Sequence, residues 1–536
     1  MTAPVDFSQI QGLVRFGYGS LTEASFLLLT IRDAEAARAW MRFAPVSNAI
    51  EQDTAPKTAL QIALTREGLE CLGLSQSTLA GFSIEFRSGM SAIPGRSRML
   101  GDVGKSNPKH WAWGTAEKMP HMLVLLYAQP GHLSAWTETV KGSAWNAAFE
   151  LLACLPTSDL GGFEPFGFRD GISQPTLDWE LKLRASKDQI TYTNLISLGE
   201  VLLGYPNEYG RYTDRPMVSA DDPYASVLPV AEAAVSSRDL GRDGCYLVLR
   251  TLKQNVQGFW QFVKAQAPSE PEQFEDLAAA MVGRRRDGSP LLSLSEVPIP
   301  GIEPKTATQN QFTFDSDPNG VRCPFGAHIR RANPRNADLP TPPVPGIQRL
   351  MRILGLGAND LQSDAKASTR FHRIVRRGRE YGSSVTIEEA LVQSEDTGTH
   401  GIHFICLVAN IARQFEFLQS AWLMNTKFDA MTDESDPLLG NREPVPGAAP
   451  TDSFTRPHED GVRDRIHSLP QFVTVEGGAY FFLPSLAAIR YLSRNVDGAS
   501  PGLIAVLDGK ARLWNGLKPS DKFDPFSNTP DRDMGP

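Results

Sequence analysis

Four stretches of the chain share one grammar of apolar and polar positions. EASFLLLTIRDAEAARAWMRF (23–43) is a leucine-rich run, then an Asp, then apolar residues three and four apart. The run predicts a strand, the spacing an amphipathic helix. DGCYLVLRTLKQNVQGFWQFVKA (243–265) repeats that order, with Phe259, Trp260 and Phe262 as aromatic anchors of its helix. A second strand–helix pair follows in each half: HMLVLLYAQPGHLSAWTETV (121–140), then IHFICLVANIARQFEFLQSAWL (402–423). Such pairs recur by chance in many α+β proteins, but recurrence in the same order favours a duplicated ferredoxin-like α+β unit. The first unit is expected over 1–230, its end marked by the turn-rich stretch GYPNEYGRYTDRPMVSADDPY (204–224). The second is expected over 231–496, with a polar C-terminal extension at 497–536. Long insertions are expected at 93–120 and 332–370, the latter carrying PTPPVPG (340–346), which cannot hold regular structure.

Composition narrows the class. The 536 residues are 41% hydrophobic and 21% charged, an ordinary globular balance that excludes a disordered or fibrous chain. With 53 basic and 61 acidic residues the net charge is −8, so no nucleic acid or anionic membrane partner is expected from bulk charge. Five scattered cysteines (Cys71, Cys154, Cys245, Cys323, Cys406) form no CxxC and suggest neither a zinc ribbon nor a disulfide framework. No signal peptide or twin arginine is visible at the N-terminus, and LVLLYA (123–128) is far too short to span a bilayer. The expected location is the cytoplasm. The oligomeric state stays open, a homo-oligomer included.

Familiar catalytic signatures are missing: there is no P-loop, HExxH or GxSxG. Most of the nine histidines are expected to be solvated. Three segments remain. GGFEPFGFRDGISQP (161–175) reads as an Asp-Gly turn, yet Asp170 on a glycine-bounded loop among phenylalanines is also a compact proton acceptor and donor. DPNGVRCPFGAHIRRANPR (317–335) places His328 after small residues, with Arg330, Arg331 and Arg335 available to pair with ligand carboxylates. A lone His is more often structural, and Cys323-Pro324 is a rival thiolate ligand for a haem iron. FHRIVRRGREYG (371–382) alternates apolar and basic positions, which suggests a strand bearing Arg373 and Arg376.

Together these segments resemble the dye-decolourising peroxidase family, larger subfamily with insertions. GFRDG (167–171) is similar to its GxxDG motif, CPFGAHIRRANPR (323–335) to the segment with its haem histidine, and IVRRGREYG (374–382) to its distal-arginine strand, usually RRGxPYG. Further similar stretches are YLVLRTLKQNV (246–256), MVGRRRDGSPL (281–291), GIHFICLVANIARQFEFLQ (401–419) and EGGAYFFLPS (476–485). The resemblance implies two ferredoxin-like units whose antiparallel sheets pack together, of the dimeric α+β barrel type. One haem b per chain would lie in the C-terminal half. It implies His328 as the iron ligand, Asp170 and Arg376 as catalytic residues on the opposite side, and Ile402, Phe404, Arg373 and Asp436 around the cofactor, Asp436 as partner of the histidine. Glu380 stands where the family has Pro. The implied activity is peroxidase: hydrogen peroxide oxidises dyes, phenols and other aromatics in one-electron steps through a ferryl–porphyrin radical. A haem-binding, iron-extracting protein without turnover is the alternative.

Overall fold

A computed structural model describes residues 4–182, 194–232, 234–267, 271–292, 307–314, 316–335, 369–392, 398–445, 447 and 449–494. The expected extension at 497–536 and most of the 332–370 insertion lie outside the described residues. The first unit comprises β1 (Glu23–Ile31), α1 (Ala34–Phe43), β2 (Thr58–Leu64), β3 (Met122–Ala128), α2 (Leu133–Lys141) and β4 (Phe149–Pro156). The second comprises β5 (Cys245–Gln254), α3 (Val256–Gln266), α4 (Pro271–Val282), α5 (His328–Ala332), β6 (Val375–Arg376), β7 (Arg379–Tyr381), β8 (Gly401–Val408) and β9 (Val473–Leu483). Two π-helical stretches, Ala412–Glu416 and Leu418–Leu423, follow β8 where the sequence pattern predicts one helix.

Local chemistry explains where the helices start. Asp33 accepts the Ala36 backbone N–H at 2.8 Å and caps α1, and Asn255 accepts that of Gly258 at 2.7 Å and caps α3. The strand order is β2-β3-β1-β4 in the first unit and β6/β7-β8-β5-β9 in the second, the same order twice, with antiparallel pairing throughout. That is the doubled ferredoxin-like architecture the repeat predicts.

The sheets are joined as well as packed. β9 pairs with β2 through Phe482 and Leu64, making one nine-stranded sheet. It closes over a shared core in which Phe26, Leu28 and Leu125 of the first unit meet Leu247, Ile405 and Phe481 of the second. Phe26 approaches His403 edge-on, with ring centroids 6.1 Å apart. The outer face of the second sheet carries α3 and α4. Phe166 and Phe168, from the Asp170 loop, join that cluster beside Phe259 and Trp260. Trp260 donates its indole N–H to Phe166 O at 3.1 Å, so a loop from the first unit is held against the second.

Candidate active site

The Asp170 loop is tied down before its acid is presented. Glu164 accepts the backbone N–H groups of Phe166 (3.0 Å) and Phe168 (2.9 Å) and the side-chain amide of Gln254 (2.7 Å). Desolvation pushes Glu164 up to about 7. Gly162 and Gly171 flank the turn at φ 82° and 77°, which a side chain would strain. The Asp-Gly turn and the presented acid are thus one feature. Asp170 Oδ1 accepts Nη1 of Arg376 at 2.8 Å. Their side chains remain 31% and 30% exposed, so they face open space rather than packed protein. Desolvation pulls Asp170 upward, but Arg376 and the Gly171 N–H outweigh it and hold the carboxyl below its ordinary 3.8.

Arg376 ends β6, and its backbone is gripped on both sides by one residue. Gln174 Oε1 accepts the Arg376 N–H at 3.0 Å, and Gln174 Nε2 donates to Arg376 O at 3.0 Å. Gln174 escapes a reading by motif, because a side chain bonded to a distant backbone leaves no periodic trace. Its only signal is its place within the 161–175 stretch.

His328 opens α5. Its Nδ1 lies 2.9 Å from Oδ2 of Asp436, whose side chain is 0% exposed. Asp436 Oδ1 accepts the N–H groups of Leu438 (2.9 Å) and Leu439 (2.8 Å). Burial pushes Asp436 up, yet His328 and these donors hold it below the ordinary carboxylate range. Burial pushes His328 down, and Asp436 more than offsets it, so its pKa is raised. Among the described residues nothing bonds Nε2 of His328, and the side chain is 27% exposed. Asp170 and Arg376 lie close enough for their charges to act on His328.

Ile402 and Phe404 are half-buried, while His403 and Ile405 point into the shared core. Arg376 pairs with Cys406 across β6 and β8, which puts it on the Ile402–Phe404 face. Arg373 is buried and donates to Asn194 Oδ1 at 3.0 Å.

Some expectations need correction. Arg330 and Arg331 are not free for ligand carboxylates: Arg330 pairs with Asp317 and Cys323 O, and Arg331 donates to the carbonyls of Trp422, Asn425 and Glu434. Both are buried and brace α5. Cys323 is buried among Leu292, Phe314 and Ala327, and burial pushes its thiol up to about 12, a poor setting for a thiolate ligand. The histidines are less solvated than expected. His372, His400 and His403 are buried; alternation along β8 turns His403 inward, where it stacks on Tyr381 with centroids 4.4 Å apart.

A haem suits this donor set. An imidazole braced from behind offers a free Nε2, and half-buried Ile402 and Phe404 supply apolar surface on the sheet face carrying Arg376. Fold and donor set together define the class: a doubled ferredoxin-like protein with a candidate haem-peroxidase site. No family model matches the sequence. Dye-decolorizing peroxidase msp1 of Mycetinis scorodonius is 28% identical over 91% of this chain and 88% of its own length. Multifunctional dye peroxidase DyP2 of Amycolatopsis sp. is 31% identical over 63% of this chain and 62% of its own. A solved fungal DyP-type peroxidase from Auricularia auricula-judae superposes with TM-score 0.68 at 24% identity, over 92% of this chain and 100% of that one. Over most of its length the chain is thus similar in sequence to dye-decolorizing peroxidases, and it shares their fold.

Proposed function

We propose that the chain is a haem b peroxidase in which Nε2 of His328 holds the iron and hydrogen peroxide oxidises dyes, phenols and other aromatics one electron at a time. The observation that carries this reading is an acid–guanidinium pair, Asp170 and Arg376, whose charges act on an imidazole anchored to a buried carboxylate. Haem, when bound, supplies the redox centre that takes two oxidising equivalents from peroxide and passes them on singly. The chain's own residues do the rest. Asp436 fixes the ring of His328 with Nε2 forward and raises its basicity. Ionised Asp170 accepts the proton of the near peroxide oxygen and donates it to the far one, which leaves as water. Arg376 offsets the negative charge that grows as the O–O bond breaks. Ile402 and Phe404 limit water on the reacting side, and Arg373 is the candidate partner for a cofactor carboxylate. No described helix is long and apolar enough to cross a membrane. A cytoplasmic location is part of the proposal and rests on the five free cysteines.

The test is reconstitution with haem followed by peroxide-driven dye oxidation. Wild type and C323A are expected to show the same Soret band and activity, and H328A to lose the haem or its histidine-type spectrum. A thiolate-type Soret in the reduced carbonyl complex, abolished by C323A, would overturn the ligand assignment. Haem binding without turnover would favour the iron-extracting alternative.

A further inference from the structure

Glu380 sits where the resembling motif has proline, and the structure shows what a carboxyl there can reach. It belongs to β7 and pairs with Ile402 across to β8, as Arg376 pairs with Cys406. Cross-strand partners share a face, so Glu380 lies on the sheet face of Arg376, Ile402 and Phe404. Its backbone O accepts the Ser158 N–H at 2.8 Å, which fastens β7 to the segment leading into the Asp170 loop. The side chain is half-buried, its own backbone N–H donates to the carboxyl, and among the described residues it makes no ion pair. Neighbouring Arg379 is occupied elsewhere, donating to Tyr18 O at 2.6 Å.

We propose that Glu380 carries protons from bulk water to the Asp170 side of the site. This rests on the peroxidase reading above. The chemistry requires such a carrier: Asp170 moves one proton from one peroxide oxygen to the other and gains none. The balance is H2O2 + 2 H+ + 2 e− giving two waters. Aromatic donors that give up electrons at a distance leave their protons in the surrounding water, so two protons per turnover must then reach the site from outside. A carrier must be open to water on one side, near Asp170 on the other, and free of a partner that fixes its charge. Glu380 meets all three conditions. The groups acting on it are its own backbone N–H, Asp170, neighbouring Arg379 and exposed Asp159. Desolvation first, then the two acids, raise it above its ordinary 4.5, outweighing its own backbone N–H and Arg379, which lower it. Asp170 itself is held low by Arg376, which orders the two acids so that a proton rests on Glu380 before Asp170.

Stopped-flow on the haem-loaded protein times the reaction with peroxide and the return to the resting state separately. E380Q is expected to slow the return about tenfold or more, and the peroxide reaction far less, with a larger solvent deuterium effect on the return. E380D restores it, and E380P serves if the Gln variant does not fold. Carboxyl titration of 13C-Glu-labelled protein gives a readout independent of turnover: the signal missing from E380Q should titrate above 4.5. Equal slowing of both phases with an unchanged isotope effect, or a Glu380 titration at or below 4.5, would overturn the relay. If wild type does not react with peroxide at all, the peroxidase reading itself fails. If it reacts and E380Q behaves like wild type, only the relay does.

Discussion

Asp170 feels two opposing pressures, partial desolvation and the Arg376 guanidinium, and the guanidinium prevails. The working form of a base is the carboxylate, present above its folded pKa and lost as pH falls through it. The rate of reaction with peroxide should therefore hold down to about pH 4 and fall only below that, whereas a histidine base would fail near 6.5. Half-loss of the stopped-flow rate between about pH 6 and 7 would show that another group is the base. Asp436 is expected to matter through His328. D436N should weaken haem retention or activity by about 10–100-fold, read by haem transfer to apomyoglobin and by dye turnover. The placement of Asp170 beside Arg376, and of His328 beside Asp436, could be read only through the family resemblance of their segments; by composition alone an Asp-Gly turn, a lone His and a basic run are ordinary. The braces could not be read that way. Glu164 and Gln174 act on backbone groups, some of them 202 residues away, and Arg330 and Arg331 read as ligand partners until their carbonyl acceptors are seen.

At the scale of elements, placement of the guanidinium depends on the joint between the 161–175 loop and β6. Q174A removes two hydrogen bonds to the Arg376 backbone, each contributing about 1 kcal/mol. The expected cost appears more in rate than in stability: about 10–100-fold in the peroxide reaction, since small displacements of a positioned group are expensive. A stopped-flow rate unchanged in Q174A would mean that Asp170 alone positions Arg376. Strand–helix pairs could be read from the chain because their signals are local: a run, a cap, a periodic face. The split of one strand position into β6 and β7 and the π-helical turns after β8 could not, because bonds to distant strands and packing decide them.

For the whole molecule, the claim is that two units share one core. Phe482 is 0% exposed, pairs with Leu64 across the unit boundary and packs edge-on against Phe82, with centroids 5.1 Å apart. F482A should cost about 3–5 kcal/mol and keep a single cooperative guanidinium transition. Two separated transitions would mean the units fold independently. The duplication was visible in the order of elements, but the β9–β2 joint was not, since it links residues more than 400 positions apart. The joined sheet carries Arg376, and the loop of the first unit that bears Asp170 is held against the second unit by Phe166, Phe168 and Trp260. The most direct measurement of that arrangement is stopped-flow absorbance after one equivalent of hydrogen peroxide is added to haem-loaded wild type, D170N and R376L. Wild type should change its Soret spectrum rapidly, with both variants retaining haem and reacting about 100-fold or more slowly. Variants that bind haem and react at the wild-type rate would contradict the assignment of Asp170 and Arg376 to peroxide activation.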